Sequence, residues 1–332
     1  MHSVKNNNYI NSNFAIIIPS RKIDNNLKYC ISRIRDFYKK TEILIILDTI
    51  KNSDFYNKDK NIKIFFYNKK IGNKRNFAAK KTNKKYLVFI DSDAYPIHNW
   101  LNYSLNGLLK FKAVCGPNIS SNINNIEKKI IANFRKIFFI TYDIDFKIKT
   151  KKKKFVDFAP ACNFVIDRKL YLKCGGMQEN INSAEENYLM IRLKKLNKKI
   201  FFDGHMFVNH KERDIKSFFF QRANYGSSII RLIQKKIFIK QSIAAILSCM
   251  PLLFTFLLPL LYFNSFFIIF LSLYLILFIS LYAYTLYKLK NLRFFYLKSL
   301  IFLIGVFGTG IGLVWNVLFG NVIDFYKHNK NN

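Results

Sequence analysis

In the N-terminal part of the chain, short apolar runs alternate with polar stretches whose apolar residues recur at helical spacing. Phe14 to Ile18 is the first run, stopped by Pro19, Ser20 and Arg21. Leu27, Cys30, Ile31, Ile34 and Phe37 then follow at the spacing of one helical face, with Lys and Arg between them. Glu42 to Leu47 reads as a second strand ending at Asp48, and Ile62 to Tyr67 as a third. Beyond it, Gly72 supplies a tight turn into a short helix whose basic face carries Arg75 and Asn76 and suits a phosphate. A fourth run, Tyr86 to Ile90, is apolar enough to be buried on both faces and stops abruptly at Asp91-Ser92-Asp93. In extended backbone the side chains of residues i and i+2 point the same way, so both carboxylates converge beyond the strand end. Such a pair suits a hard divalent cation that also carries phosphate oxygens, although an ordinary Asp/Ser/Asp turn has the same residues. The alternation predicts an open α/β sheet with its ligand in the crevice at the strands' C-terminal ends.

Further along, Trp100 to Leu109 reads as a helix and Val114-Cys115-Gly116-Pro117 as a strand and turn. Ile126 to Ile140 places Ile130, Ile131, Phe134, Ile137 and Phe138 on one helical face, as in a core helix or an interfacial one. Lys151 to Lys154 reads as a solvated loop. The glycines of Cys174-Gly175-Gly176-Met177 permit either a helix C-cap or a close backbone approach to substrate. Glu185 and Glu186 begin a helix whose Leu189, Leu193 and Leu196 share a face. Acids there compensate the helix dipole, and a carboxylate can equally serve as a general base. Lys199 to Asp203 and Phe207 to His210 read as strands, and the segment from Phe218 to Gly226 as a helix.

The order Ile-Ile-Ile-Pro19, strand-Asp48, Gly72-x-x-Arg75-Asn76 and Phe-Ile-Asp91-Ser92-Asp93 resembles the nucleotide-sugar-binding half of a glycosyltransferase family 2 enzyme. The resemblance continues to Gly226 and implies a GT-A domain, an α/β Rossmann-like nucleotide-diphospho-sugar transferase fold, followed by transmembrane helices. It places Pro19, Ser20, Arg21, Asp48, Gly72, Arg75, Asn76, Asp91, Ser92, Gly176 and Arg222 against the nucleotide-sugar. Asp91 and Asp93 would hold Mg2+ or Mn2+, with His210 approaching the metal or the diphosphate. The family usually has Glu followed by Asp where this chain has Glu185 and Glu186. Glu186 is thus the expected base, one methylene longer than usual, with Glu185 beside it. Processive synthases of the superfamily carry Gln-x-x-Arg-Trp; here Arg222 follows Gln221 directly and no Trp is present, which argues against processive synthesis.

Composition changes the picture in two ways. The formal charge of +34 invites a nucleic-acid partner. Lys, Asn, Ile, Phe and Tyr are all abundant together, however, which reads as a general compositional bias, and no nucleic-acid-binding motif accompanies it. The second change comes near residue 237: residues 237–332 contain seven Lys/Arg and one acidic residue, against 47 and 19 before them. Ser242 to Phe263, Ser265 to Tyr287 and Ser299 to Phe319 each have the length and apolarity of a membrane span. The Lys/Arg clusters at 235–240 and 288–298 belong on the cytoplasmic side. Five scattered cysteines fit a reducing cytosol, and no cleavable signal peptide is expected. The expected layout is a disordered tail over 1–13, a GT-A domain over 14–236, a transmembrane part over 237–320 and a polar tail over 321–332. The expected activity is that of an inverting glycosyltransferase anchored in the cytoplasmic membrane, acting on a lipid-linked or surface-polysaccharide precursor among membrane lipids. A polyprenyl-phosphate monosaccharide synthase and a non-catalytic membrane scaffold are the alternatives.

Overall fold

A computed structural model describes residues 2–49, 59–121, 123–138, 146–147, 149–181, 183–234 and 294–319, with isolated positions between 242 and 287. The chain forms two compact units, Met1–Ser121 with Asp143–Lys211, and Asn122–Tyr142 with Glu212–Asn332. These units part after Lys211, and residues 122–142 group with the second.

In the first unit, β1 (Phe14–Pro19), β2 (Glu42–Leu47), β3 (Ile62–Phe66) and β4 (Tyr86–Phe89) pair in parallel. Every residue of β1, β2 and β4 is buried, which accounts for their unbroken apolar runs. The helices α2 (Asn25–Phe37) and α3 (Ile71–Lys80) connect these strands. Asp24 caps α2 by accepting from the Leu27 amide at 2.9 Å, and Leu27, Cys30, Ile31 and Ile34 form its buried stripe.

The sheet is completed by strands from farther along the chain. These are β6 (Ala113–Cys115), β8 (Lys153–Val156), β9 (Phe164–Asp167) and β10 (Ile200–Asp203), in the order β3-β2-β1-β4-β9-β6-β10-β8. The antiparallel β9 lies between β4 and β6. A second, three-stranded sheet has β11 (Val208–Lys211) flanked by β5 (Ala94–Pro96) and β7 (Asn118–Ser121). Its register sets His210 opposite Ala94, the residue after Asp93.

Residues 2–13, expected to be disordered, form α1 (His2–Asn13). Few of its residues favour helix, so tertiary contacts hold it. Ile10 is buried in the core, Asn11 accepts from Thr41 at 2.7 Å, and Lys84 Nζ donates to the carbonyls of Asn11 and Ser12 at the helix's C-terminal end. The remaining helices of this unit are α4 (Trp100–Leu108), α6 (Arg168–Lys173) and α7 (Glu185–Lys195).

The second unit contains α5 (Ile126–Phe138), α8 (Ile215–Gly226), α9 (Ile229–Gln234) and α10 (Phe295–Phe319). Ile130, Ile131 and Phe134 of α5 are buried with Phe218, Ile301, Phe302 and Val306, so this face of α5 is core. The backbones of α8 and α10 pack closely: a Cβ on Gly226 would strike the Thr309 carbonyl, and one on Gly312 the Ala223 carbonyl. Among the described residues, α10 alone is long and apolar enough to cross a membrane, and half of its most apolar window is buried in the protein. It covers the third expected span; the first two lie largely outside the described residues.

Candidate active site

The acidic motif sits where β4 ends, but its backbone is a turn rather than the extended continuation expected, with the Ala94 amide donating to the Asp91 carbonyl at 3.0 Å. Convergence comes from the second sheet instead. The β5–β11 pairing, reinforced by the Lys211 amide donating to the Asp93 carbonyl at 2.9 Å, brings the buried His210 alongside. His210 Nε2 lies 3.4 Å from Asp93 Oδ1 and 3.7 Å from Asp91 Oδ2. Its Nδ1 lies 3.0 Å from the Lys211 carbonyl oxygen, an acceptor, so Nδ1 carries the proton and donates it there. Nε2 thus faces two carboxylate oxygens, and the three atoms could share one cation. Two carboxylates and an imidazole make a donor set that fits a divalent ion such as Mg2+ or Mn2+.

Arg75 ties this corner to the start of α7. Its guanidinium is buried and donates through Nη2 to Asp91 Oδ1 at 2.6 Å and through Nη1 to Glu185 Oε1 at 2.5 Å. Burial opposes the charge, but Asp91 and Glu185 outweigh it and hold the guanidinium above its ordinary range. Glu185 is therefore an ion-pair partner. Glu186, the next residue, is only partly buried and has no ion pair among the described residues. Desolvation, then the neighbouring Glu185 charge, pushes its carboxyl up to about 8, with Arg75 opposing. That value lies near neutrality, as a general base requires. Ala184, which precedes α7, has φ 64°, a left-handed conformation that strains a residue with a Cβ and sets the direction in which the acidic pair enters the helix.

The other predicted residues divide between the pocket wall and its supports. Asp48 pairs with Lys74 Nζ at 2.8 Å, and the same ammonium donates to the Ser20 carbonyl at 2.6 Å. Burial pulls the Lys74 pKa down while Asp48 raises it. Pro19 closes β1; after it Ser20 Oγ donates to the Lys22 carbonyl at 3.0 Å, and the Asp48 amide donates to the Arg21 carbonyl at 3.0 Å, so Ser20 and Arg21 form a structured turn beside Asp48. Asn76 is buried and saturated: it donates to the Met177 carbonyl and Glu179 Oε1, both at 2.9 Å, and accepts from Tyr171 Oη at 2.6 Å and the Met177 amide at 2.9 Å. It clamps the loop before α7. Gly72 lies inside α3 and makes no tight turn; it is glycine because a Cβ would strike the Gln178 carbonyl of that same loop. Gly175, φ 72°, follows the C-cap of α6, and Gly176, φ 70°, presses against Asn76, so the C-cap explanation holds here. Ser92 occupies the turn between the two aspartates. Arg222 belongs to the second unit, where its Nε donates to Thr309 Oγ1 at 3.0 Å and its guanidinium lies over the Tyr225 ring.

Two residues near these groups were not singled out by sequence. Lys74 is the buried partner of Asp48, and its place one turn before Ala78 on the inner face of α3 is the only signal. Cys162, on a short 3-10 turn (Ala161–Asn163), has its Sγ within 4.8 Å of ligand atoms of both Asp91 and His210. No spacing rule connects residues so far apart in the chain.

A mixed sheet with the acidic turn at the end of β4 and a second sheet delivering His210 beside it defines a glycosyltransferase of GT-A fold. The mannosyltransferase PcManGT from Pyrobaculum calidifontis, solved with GDP-Man and Mn2+, shares this fold at a TM-score of 0.58 and 11% identity, over 91% of this chain and 87% of that one. Two further similar structures have lower scores. TarS 1-349 from S. aureus with UDP-GlcNAc has a TM-score of 0.47, 13% identity and 66% coverage of both chains. GalNAc-T7 with UDP, GalNAc and Mn2+ has a TM-score of 0.48 and 13% identity, over 60% of this chain. This chain spans 44% of the length of GalNAc-T7 and just under two thirds of TarS 1-349. No curated protein matches the sequence. Residues 15–175 match the family described as Glycosyl transferase family 2.

Proposed function

We propose that the protein transfers a sugar, with inversion, from a nucleotide-diphospho-sugar to an acceptor held at a membrane, a lipid-linked sugar or surface-polysaccharide precursor. The observation that carries the reading is the convergence of Asp91, Asp93 and His210 at the end of β4, tied through Arg75 to the acidic start of α7. Asp91, Asp93 and His210 would hold Mg2+ or Mn2+. The ion, when bound, neutralises charge on the leaving diphosphate. The nucleotide-sugar and Mn2+ in the mannosyltransferase of like fold support the same pairing here.

Asp48 and the turn at Ser20 and Arg21 would receive the base or ribose. Glu186 takes the acceptor hydroxyl's proton as its oxygen attacks the anomeric carbon and the bond to the diphosphate breaks. Glu185 serves Arg75 and so positions this corner. The α10 helix supports a membrane location, and the Lys/Arg clusters at 235–240 and 288–298 in the sequence support a cytoplasmic catalytic domain.

A panel of nucleotide-sugars, with membrane lipid extract as acceptor and mass-spectrometric detection, tests the reading. Metal-dependent addition of one sugar to a lipid, lost in Asp93→Asn and Glu186→Gln, is expected. Transfer that survives Glu186→Gln would point to a polyprenyl phosphate as acceptor, since a phosphate needs little help from a base. A full panel with no metal-dependent donor binding would leave the scaffold alternative.

A further inference from the structure

We infer that Asp91, His210 and Cys162 together form a three-ligand site for a borderline-soft divalent ion of the zinc class, formed when no nucleotide is bound. The inference rests on the metal-site reading for Asp91 and His210 and adds Cys162, which that reading does not use. One carboxylate oxygen, one imidazole nitrogen and the Cys162 sulfur all lie within 4.8 Å of one another. A tetrahedral zinc ion with bonds of about 2.0–2.3 Å holds its ligand atoms ~3.5 Å apart, so small side-chain adjustments close the site.

The surroundings are built for a sulfur ligand. Asn118, itself buried, donates from Nδ2 to Cys162 Sγ at 3.0 Å, which fixes the position of the sulfur beside Asp91 and His210. The next residue, Asn163, pins the turn: its Nδ2 donates to the carbonyls of Pro117 and Met206 at 2.8 and 2.7 Å, and its Oδ1 accepts from Trp100 Nε1 at 2.9 Å. Arg75 takes one Asp91 oxygen and leaves the other facing His210. The His210 tautomer, set by the Lys211 carbonyl, presents Nε2.

Oxygen ligands select Mg2+ and Mn2+, whereas thiolate and imidazole select zinc. A bound diphosphate adds oxygens and favours the hard ion. Without it, the nitrogen, oxygen and sulfur set prefers zinc, which then competes for Asp91 and His210. Zinc at this site is therefore expected to inhibit transfer in competition with Mn2+.

The probe is Co2+, which reports a sulfur ligand by a thiolate-to-cobalt charge-transfer band in the near ultraviolet. The full chain in detergent is titrated with Co2+ and, separately, with Zn2+, without nucleotide. The wild type is expected to show the band, Cys162→Ser to lose it and Cys174→Ser to keep it. Asn118→Val should weaken Zn2+ binding about 10–100-fold, the usual effect of removing a group that supports a metal ligand. Cobalt bound without the band, a band that persists in Cys162→Ser, or no cobalt binding by the wild type overturns the inference. Mn2+-dependent binding of UDP- and GDP-sugars, measured by calorimetry on the same wild-type preparation, tests the functional reading separately. Its failure with the cobalt band present would strike that reading alone.

Discussion

Replacing Arg75 with methionine removes one cation from between two carboxylates and leaves its volume roughly filled. The Arg75 side chain is 2% exposed and Glu185 7%, while Asp91 is 29% exposed. Asp91 therefore recovers solvation when Arg75 is removed, and Glu185 does not. Removing one partner of a buried ion pair destabilises by about 3–5 kcal/mol, because the other charge is left uncompensated. For a domain of this size 1 kcal/mol shifts Tm by about 2–4 °C, so Arg75→Met should unfold about 6–20 °C below the wild type. The assay is thermal unfolding of the full chain in detergent, followed by intrinsic fluorescence. Arg75→Met/Glu185→Met removes both charges, and an apolar pair of similar volume is often neutral or stabilising, so most of the lost Tm should return. Transfer should not return, since Asp91 has lost the group that orients it. A drop of less than about 2 °C in the single variant, or a double variant no more stable than the single, would refute the claim that Arg75 is the buried link between the two acidic centres.

Three further expectations follow from the same geometry. Ionising Glu186 is penalised in the fold, so its raised pKa favours the folded state at low pH and that contribution is lost as pH rises from its ordinary value of 4.5 toward about 8. In chelator, Glu186→Gln should therefore raise Tm more at pH 8 than at pH 5, whereas wild-type transfer should climb with pH and level off above about 8; a Tm difference independent of pH would contradict this. Gly72→Val should lower Tm and reduce donor binding, because its side chain drives the Gln178 carbonyl and the loop before α7 outward; unchanged donor affinity by calorimetry would contradict the clamp. Gly312→Leu should destabilise the second unit by about 1–3 kcal/mol or more through overpacking against α8, read as earlier loss of helical signal in detergent.

The strands of the first unit were legible because burial on both faces leaves an unbroken apolar run: β1 and β2 fall where Phe14 and Glu42 begin such runs. The acidic turn was legible for the same reason, since Asp91 ends another such run, Tyr86 to Ile90. Contacts made across the chain were not. Glu185 meets Arg75 from 110 residues away, and nothing in either segment distinguishes an ion-pair partner from a base. His210 reaches Asp93 only through the pairing of β11 with β5, two short strands whose register no alternation predicts. Cys162 arrives on a turn held by Asn163, whose partners are carbonyls and a tryptophan distant in sequence. The glycines misled in a different way. Gly72 suggested a turn, whereas the residue is small because another loop lies against it. The polar α1 was missed because its helix depends on Ile10 and Lys84 meeting the rest of the fold.

The central claim is that Asp91, Asp93 and His210 hold a divalent ion against a nucleotide diphosphate, and calorimetry on the full chain tests it most directly. UDP- and GDP-sugars are titrated into wild-type protein with Mn2+, then with excess chelator, and finally into Asp93→Asn with Mn2+. The account predicts saturable binding of at least one donor in the first case, its loss in the second, and at least a tenfold weakening, about 1.4 kcal/mol, in the third at unchanged Tm. Donor binding of equal strength in chelator, or in Asp93→Asn, would contradict it.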